Sequence, residues 1–277
     1  MSDPPIPDNT TAVDVESSTP PWKPTRPHIH RYKDSETLAD AAAKIFLDSA
    51  RTAVEKTDRF VVVLAGGSTP RGLYRRLTEP PYRASVPWDK TCFVFGDERC
   101  VSPDDEQSNY RMARETLFDP LEIPQQHVVR MKGEQKPVEA ALRYEVRLDD
   151  VFLCHPKKRF DLLLLGIGTD GHTASLFPGT AALEERQRWV VASHVPHLDA
   201  WRLTLTLPAL NSAKHVMFLA EGEAKARVIA EAFAGVEHSD PYPCERVVPA
   251  HGRRDVLIDK AAASCIPHAK PAADRAD

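Results

Sequence analysis

The chain has 277 residues, a formal net charge of −4 and 42% hydrophobic residues, which is enough for one large α/β domain or two small ones. Mild acidity speaks against nucleic acid or an anionic membrane as a partner, so any anion site has to be built locally. With no run near the ~18 apolar residues of a membrane span and no signal-peptide pattern in MSDPPIPDNT, the expected location is the cytoplasm.

Residues 1–27 carry seven prolines and no glycine and are expected to be a disordered tail, as are residues 268–277. The span 28–267 is expected to form a single α/β catalytic domain. Its first helical stretch, ETLADAAAKIFLDSARTAVEK, places Leu38, Ala42, Ile45, Phe46 and Ala53 on one face. The apolar runs Phe60–Gly67 and Thr91–Glu98 then read as strands. A helix follows in VEAALRYEVRLDDVF, with an apolar row at Val138, Leu142 and Val146. Further strands are expected over Phe160–Gly168 and His215–Gly222. Each strand is short, apolar throughout and closed by glycine or a turn residue, as in a parallel sheet buried on both faces. WRLTLTLPAL alternates instead, with Leu203, Leu205 and Leu207 on one face and Arg202, Thr204 and Thr206 on the other. EAKARVIAEAF reads as the last helix. The alternation predicts a doubly wound, mostly parallel α/β sheet with helices on both faces. Ligands then belong beyond the carboxyl ends of the strands.

The five cysteines, Cys92, Cys100, Cys154, Cys244 and Cys265, are scattered and never CxxC. They read as reduced, mostly small apolar residues, with no disulfide framework or zinc cluster. His28, His30, His194 and His251 read as surface histidines.

Three strand ends carry residues that a core does not need. After the first strand, Gly66 and Gly67 lead into Ser68-Thr69-Pro70, a helix start with hydroxyl caps. Its exposed amides form an anion cradle, although a capped helix without a ligand fits equally well. Neither a Walker A loop nor GxGxxG is present. After the second strand comes Gly96-Asp97-Glu98-Arg99. Arg99 suits a phosphate, with Asp97 and Glu98 holding it or binding sugar hydroxyls; a solvated loop with an internal ion pair is the plainer alternative. After the third, GIGTDGHTASLFPG sets Gly166, Gly168, Asp170 and Gly171 before His172, with Thr173 and Ser175 beside it. A histidine oriented by a nearby carboxylate is equipped to deprotonate water; a helix cap is the plainer alternative for His172. No HxxxH or cysteine partner supports a metal, and no GxSxG elbow supports a serine nucleophile.

AGGSTP, GDER, GIGTDGHTASLFPG, RLTLTLPALNSA and FLAEGEAKA occur in this order, and together they resemble the 6-phosphogluconolactonases from about Asp34 to Ala263. The resemblance implies a fold shared with glucosamine-6-phosphate deaminase and ribose-5-phosphate isomerase. It also implies hydrolysis of 6-phospho-D-glucono-1,5-lactone without cofactor or metal. By position, His172 matches the family's general base and Asp170 its partner. Gly67, Ser68, Thr69 and Arg99 match sugar-phosphate contacts, and Arg202 and Lys225 the later basic positions. Gly66, Asp97, Gly168, Gly171, Thr173 and Ser175 complete the expected substrate-binding set, with loop amides from Gly168 to Thr173 facing an oxyanion. The partner implied is a small sugar-phosphate lactone, and a monomer or weak homodimer is expected. DGHTASLFP and GDER differ from the DGHIAFNEP and DEY patterns of the deaminases. A sugar-phosphate enzyme of that kind, or a regulator that binds without catalysis, is the alternative. DVLIDKAAA keeps Asp259 and the alanines of the family's last motif but lacks its aromatic residue.

Overall fold

A computed structural model describes residues 27–153, 157–236 and 238–267. The expected tails, apart from residue 27, and Cys154 lie outside the described residues. The strands are β1 (His28–Tyr32), β2 (Phe60–Leu64), β3 (Thr91–Phe95), β4 (Asp97–Arg99), β5 (Val128–Val129), β6 (Leu162–Leu165), β7 (Val190–Val195), β8 (Ala200–Leu205), β9 (His215–Ala220) and β10 (Arg253–Asp259). The helices are α1 (Ser35–Thr57), α2 (Ser68–Leu77), α3 (Tyr82–Ser85), α4 (Asn109–Ala113), α5 (Pro137–Phe152), α6 (Leu207–Leu210) and α7 (Ala226–Phe233).

Seven strands form one sheet in the order β1-β10-β9-β6-β2-β3-β5, with every pair parallel. This is the doubly wound architecture expected from the buried apolar runs. From β2 the chain winds outward through β3 to β5, then returns to place β6 on the other side of β2. Right-handed crossovers in opposite directions put their helices on opposite faces. The reversal makes the β2/β6 boundary a switch point, where the carboxyl ends open a crevice.

The strand expected over Thr91–Glu98 is in fact two. At Gly96 the chain leaves the main sheet and enters a second, three-stranded sheet of order β4-β8-β7, which is antiparallel throughout. Gly96 joins the two sheets: its amide donates to Leu64 and its carbonyl accepts from Leu205. The alternating stretch after Trp201 is a strand only to Leu205, and Leu207 begins α6. Its threonine face is not solvated. Thr204 is fully buried, where its hydroxyl accepts from the Ser175 amide and donates to the Leu205 carbonyl.

Helix α1 starts at a capping box between Asp34 and Thr37 and buries Leu38, Ala42, Phe46 and Ala53 as expected, with Ile45 only partly covered. Helix α5 reverses its expected face. Val138, Leu142 and Val146 are 57%, 51% and 61% exposed, whereas Ala140, Ala141, Tyr144, Leu148, Val151 and Phe152 face the core. Two apolar rows compete on this helix. The winning row owns a polar tie: the Tyr144 hydroxyl accepts from the Phe95 amide at 2.7 Å and donates to its carbonyl at 3.1 Å. Among the described cysteines, Cys92 and Cys244 are buried, but Cys265 is exposed.

His30 is not the surface residue expected from the sequence. It pairs at 2.7 Å with Asp255, a fully buried carboxylate that also meets His215 at 2.6 Å and Arg253 at 2.5 Å. Burial pushes the Asp255 carboxyl up, but the bonds from His215, Arg253 and His30 outweigh it and hold the group far below the usual range. A carboxyl lowered by folding contributes stability that is complete above its unfolded pKa of about 4 and disappears as pH falls through the lowered value. Asp255→Asn should therefore lower stability at pH 7 by on the order of 3 kcal/mol. Thermal melts at stepped pH should show the gap from wild type closing below about pH 4; a gap independent of pH would remove the charge from the explanation.

Candidate active site

The cleft starts where β2 ends. The Tyr74 hydroxyl fixes the exit by accepting from the Ala65 amide and donating to its carbonyl. Gly66 follows, where a Cβ would collide with the Asn109 carboxamide. Gly67, at φ 103°, is itself the N-cap of α2, and no side chain caps that helix. Ser68 and Thr69 are therefore not caps, as the sequence suggested, but first-turn residues. Their amides have no acceptor inside the helix, so the positive end of α2 is left open to a ligand.

The corner after β3 is more ordered than a solvated loop. Glu98 is buried and accepts from the amides of Arg99, Asn109 and Tyr110 at 2.7–2.8 Å and from the Ser108 hydroxyl at 3.1 Å. Burial pushes its carboxyl up, against those amide bonds. Glu98 therefore anchors the start of α4 and sets Asn109, whose side-chain amide donates to the Asp97 carbonyl and carboxylate. Asp97 in turn accepts from the Ser175 hydroxyl at 2.6 Å. Asp97 and Ser175 thus tie β4 to the loop after β6.

That loop, residues 166–180, contains no helix, so His172 caps none. Asp170 Oδ1 lies 2.6 Å from His172 Nδ1 and also accepts the His172 amide at 3.1 Å. Burial raises the Asp170 carboxyl, but its bonds and charge interaction with His172 hold it below the usual range. An ionised carboxylate only accepts, so in the neutral imidazole the proton sits on Nδ1 and Nε2 is left with the lone pair. Phe177 stacks on the imidazole, with ring centroids 4.2 Å apart. A Cβ at Gly168 would collide with that imidazole and with Asp170. Ala174 adopts φ 47°, a left-handed conformation costing roughly 1–2 kcal/mol, and it faces the cleft.

Two placements differ from expectation. Thr173 is buried, with its hydroxyl donating to the Gly166 carbonyl, and Gly171 is covered by the Tyr242 ring. Neither lines the cleft. Three of the loop amides have acceptors within the loop: Gly168 donates to His172, Gly171 to Gly168, and His172 to Asp170.

A cleft of about 220 Å³ gathers Gly66, Gly67, Ser68, Thr69, Asp97, Arg99, Gly168, His172 and Lys225. An adjoining cavity of about 430 Å³ shares Asp97, Arg99 and His172 and adds Asp170, Ser175, Arg202 and His197. Sequence reasoning did not reach Asn109, Phe177 or His197, which lack a local motif. Only the FP of LFPG offered a hint, in an aromatic residue close after the histidine.

The electrostatics favour an anion. Arg99 and Arg202 are directly opposed across β4 and β8, an arrangement that is unfavourable for like charges. Arg99 donates to the Gln107 carbonyl and Arg202 to that of Trp201. Among the described residues neither they nor Lys225 makes an ion pair with a carboxylate. Burial, and then the charge of Arg99, pushes Arg202 down; burial also pushes Lys225 down, with Glu221 opposing. Asp259 accepts from the Gly222 amide and so holds the turn before Lys225. Among the described residues, no group of three His, Cys, Asp or Glu side chains is placed to hold a metal ion.

Residues 33–257 match the family described as glucosamine-6-phosphate isomerases/6-phosphogluconolactonase. The chain belongs to that family. A 6-phosphogluconolactonase of Haemophilus influenzae is 35% identical over 201 residues, covering 73% of this chain and 85% of the relative. The solved 6-phosphogluconolactonase of Trypanosoma cruzi superposes with a TM-score of 0.76 at 29% identity, covering 86% of this chain and 96% of that one. A monomeric glucosamine-6-phosphate deaminase shares the fold at a TM-score of 0.72 and 24% identity, covering 86% of this chain and 99% of that one. The described helices of this chain include none long and apolar enough to cross a membrane.

Proposed function

We propose that the chain hydrolyses 6-phospho-D-glucono-1,5-lactone to 6-phospho-D-gluconate, with His172 as general base. The observation that carries the mechanism is the 2.6 Å contact between Asp170 and His172 Nδ1 at the rim of a cleft that also holds unpaired cations. The relatives named as 6-phosphogluconolactonases support the choice of substrate.

The 6-phosphate binds at the first turn of α2 with Arg99, Arg202 and Lys225. Holding the sugar there removes much of the entropic cost of attack. His172 Nε2 takes a proton from water as the water oxygen bonds to C1. The carbonyl oxygen becomes an oxyanion. As the carbonyl re-forms, the bond from C1 to the ring oxygen breaks, and the imidazolium returns its proton to that oxygen. Asp170 stabilises the transient cation, and no covalent intermediate is needed.

Removing one charged contact to the phosphate typically loses about 1.5–3 kcal/mol. Arg99→Ala should therefore raise KM for the phosphorylated lactone roughly tenfold or more, with kcat changed only a few-fold. The same variant should leave KM for unphosphorylated δ-gluconolactone unchanged. Steady-state kinetics on both lactones checks this, and equal effects on the two would remove Arg99 from the phosphate site.

A further inference from the structure

Behind the loop that carries His172 runs residues 238–246, a segment with no sequence motif. Two contacts bind it to the catalytic turn. The Tyr242 ring packs directly over Gly171, where a Cβ would overlap it. The Cys244 amide donates to the Gly171 carbonyl at 3.0 Å. Gly171 itself is held at φ 75°, a conformation that favours glycine. It is the one residue between Asp170 and His172, so its placement sets the angle between carboxylate and imidazole.

Tyr242 is fixed from several sides. Its hydroxyl donates to Glu231 on α7 at 2.5 Å, and Glu231, buried at 8% exposure, also accepts from Arg227 at 2.8 Å. The Tyr242 amide donates to Glu245 at 2.7 Å. His238 stacks on the ring, at 5.1 Å between centroids and 14° between planes, and bonds Glu245 at 2.8 Å. None of these side chains lines the cleft or its adjoining cavity. A ring clamped by a buried carboxylate and pressed against the hinge of the catalytic pair has no route to substrate except through that pair.

We propose that Tyr242 is a positioning residue for the lactonase reaction, acting through Gly171 to hold Asp170 and His172 in their working geometry. This rests on the assignment of His172 as general base. Displacements of about 1 Å in such constellations cost on the order of 10²-fold in rate. Tyr242→Ala should lower kcat roughly 10- to 100-fold with KM nearly unchanged. Tyr242→Phe keeps the ring and loses the bond to Glu231, so it should recover most of that loss.

The test is a double-mutant cycle with kcat, KM and melting temperature measured for Tyr242→Ala, Asp170→Ala and the combination, with His172→Ala as the control for the base. If Tyr242 acts by holding Asp170 against His172, its removal adds little in the Asp170→Ala background. Wild-type kcat in Tyr242→Ala, or a loss that multiplies in full with that of Asp170→Ala, overturns the proposal even if the melting temperature falls. If His172→Ala itself keeps the wild-type rate, the general-base assignment fails, and the proposal with it. Should Tyr242→Ala not fold, Tyr242→Leu, which fills part of the space without the planar ring, carries the test: kcat several-fold lower at unchanged KM supports the proposal, and unchanged kcat overturns it.

Discussion

His172→Ala should bring lactone turnover close to the spontaneous rate while leaving binding of the product, 6-phosphogluconate, nearly intact. General-base assistance is typically worth ~10²–10⁴-fold, and no other described group stands in the same relation to the cleft. His197 shares the adjoining cavity, but it packs edge-on to Phe177 with centroids 5.3 Å apart and has no carboxylate holding it. The imidazole of His172 contributes little to the fold, being half-buried and stacked on one ring. The variant should therefore melt near the wild-type temperature, and rate and affinity together report on chemistry. A wild-type kcat in this variant would end the assignment.

Asp170→Ala should produce the second large loss, on the order of 10²-fold in kcat. The carboxylate does two things at once. It accepts the hydrogen bond from Nδ1–H, which leaves Nε2 free to act as the base, and its negative charge steadies the imidazolium formed on proton transfer. It also accepts the His172 amide, so the alanine variant loosens the turn as well. Asp170→Asn separates these roles, because the carboxamide oxygen still accepts while the charge is gone. Rates ordered wild type, Asn, Ala would show both contributions, and a wild-type rate in Asp170→Asn would mean that the charge is not used. Burial raises the carboxyl, but its bonds and charge interaction with His172 hold it below the usual range, so it is ionised at neutral pH.

How much of this could be read without coordinates depended on where each interaction sits along the chain. His172, Asp170 and the Gly66–Thr69 turn stand at the ends of strongly apolar strands, and the rule that ligands lie beyond carboxyl ends located them. The parallel sheet was legible for the same reason. The strands missed were β1, β5, β7 and β10, which are short, at an edge, or mixed in polarity. The chain's change of sheet at Gly96 was not legible in TCFVFGDE, because the charged Asp97-Glu98-Arg99 of β4 reads as a strand end and its pairing partner β8 lies far along the chain. The face of α5 was misread because apolar periodicity does not count the Tyr144 hydroxyl bonded to Phe95. Thr204 shows the converse: a polar residue in strict alternation is buried where its hydroxyl finds partners. Tyr242 was invisible because its link to Gly171 spans 71 residues of chain (242 − 171) and rests on ring packing alone.

The central claim is lactone hydrolysis, and the most direct measurement follows 6-phosphogluconolactone, generated in place from glucose 6-phosphate, as it disappears against the spontaneous background. The expected result is a rate above background that rises in proportion to added protein and falls to near background with His172→Ala. Disappearance at the background rate whatever the protein concentration, with ammonia released from glucosamine 6-phosphate in a parallel assay, would contradict it and assign the cleft to the deaminase reaction.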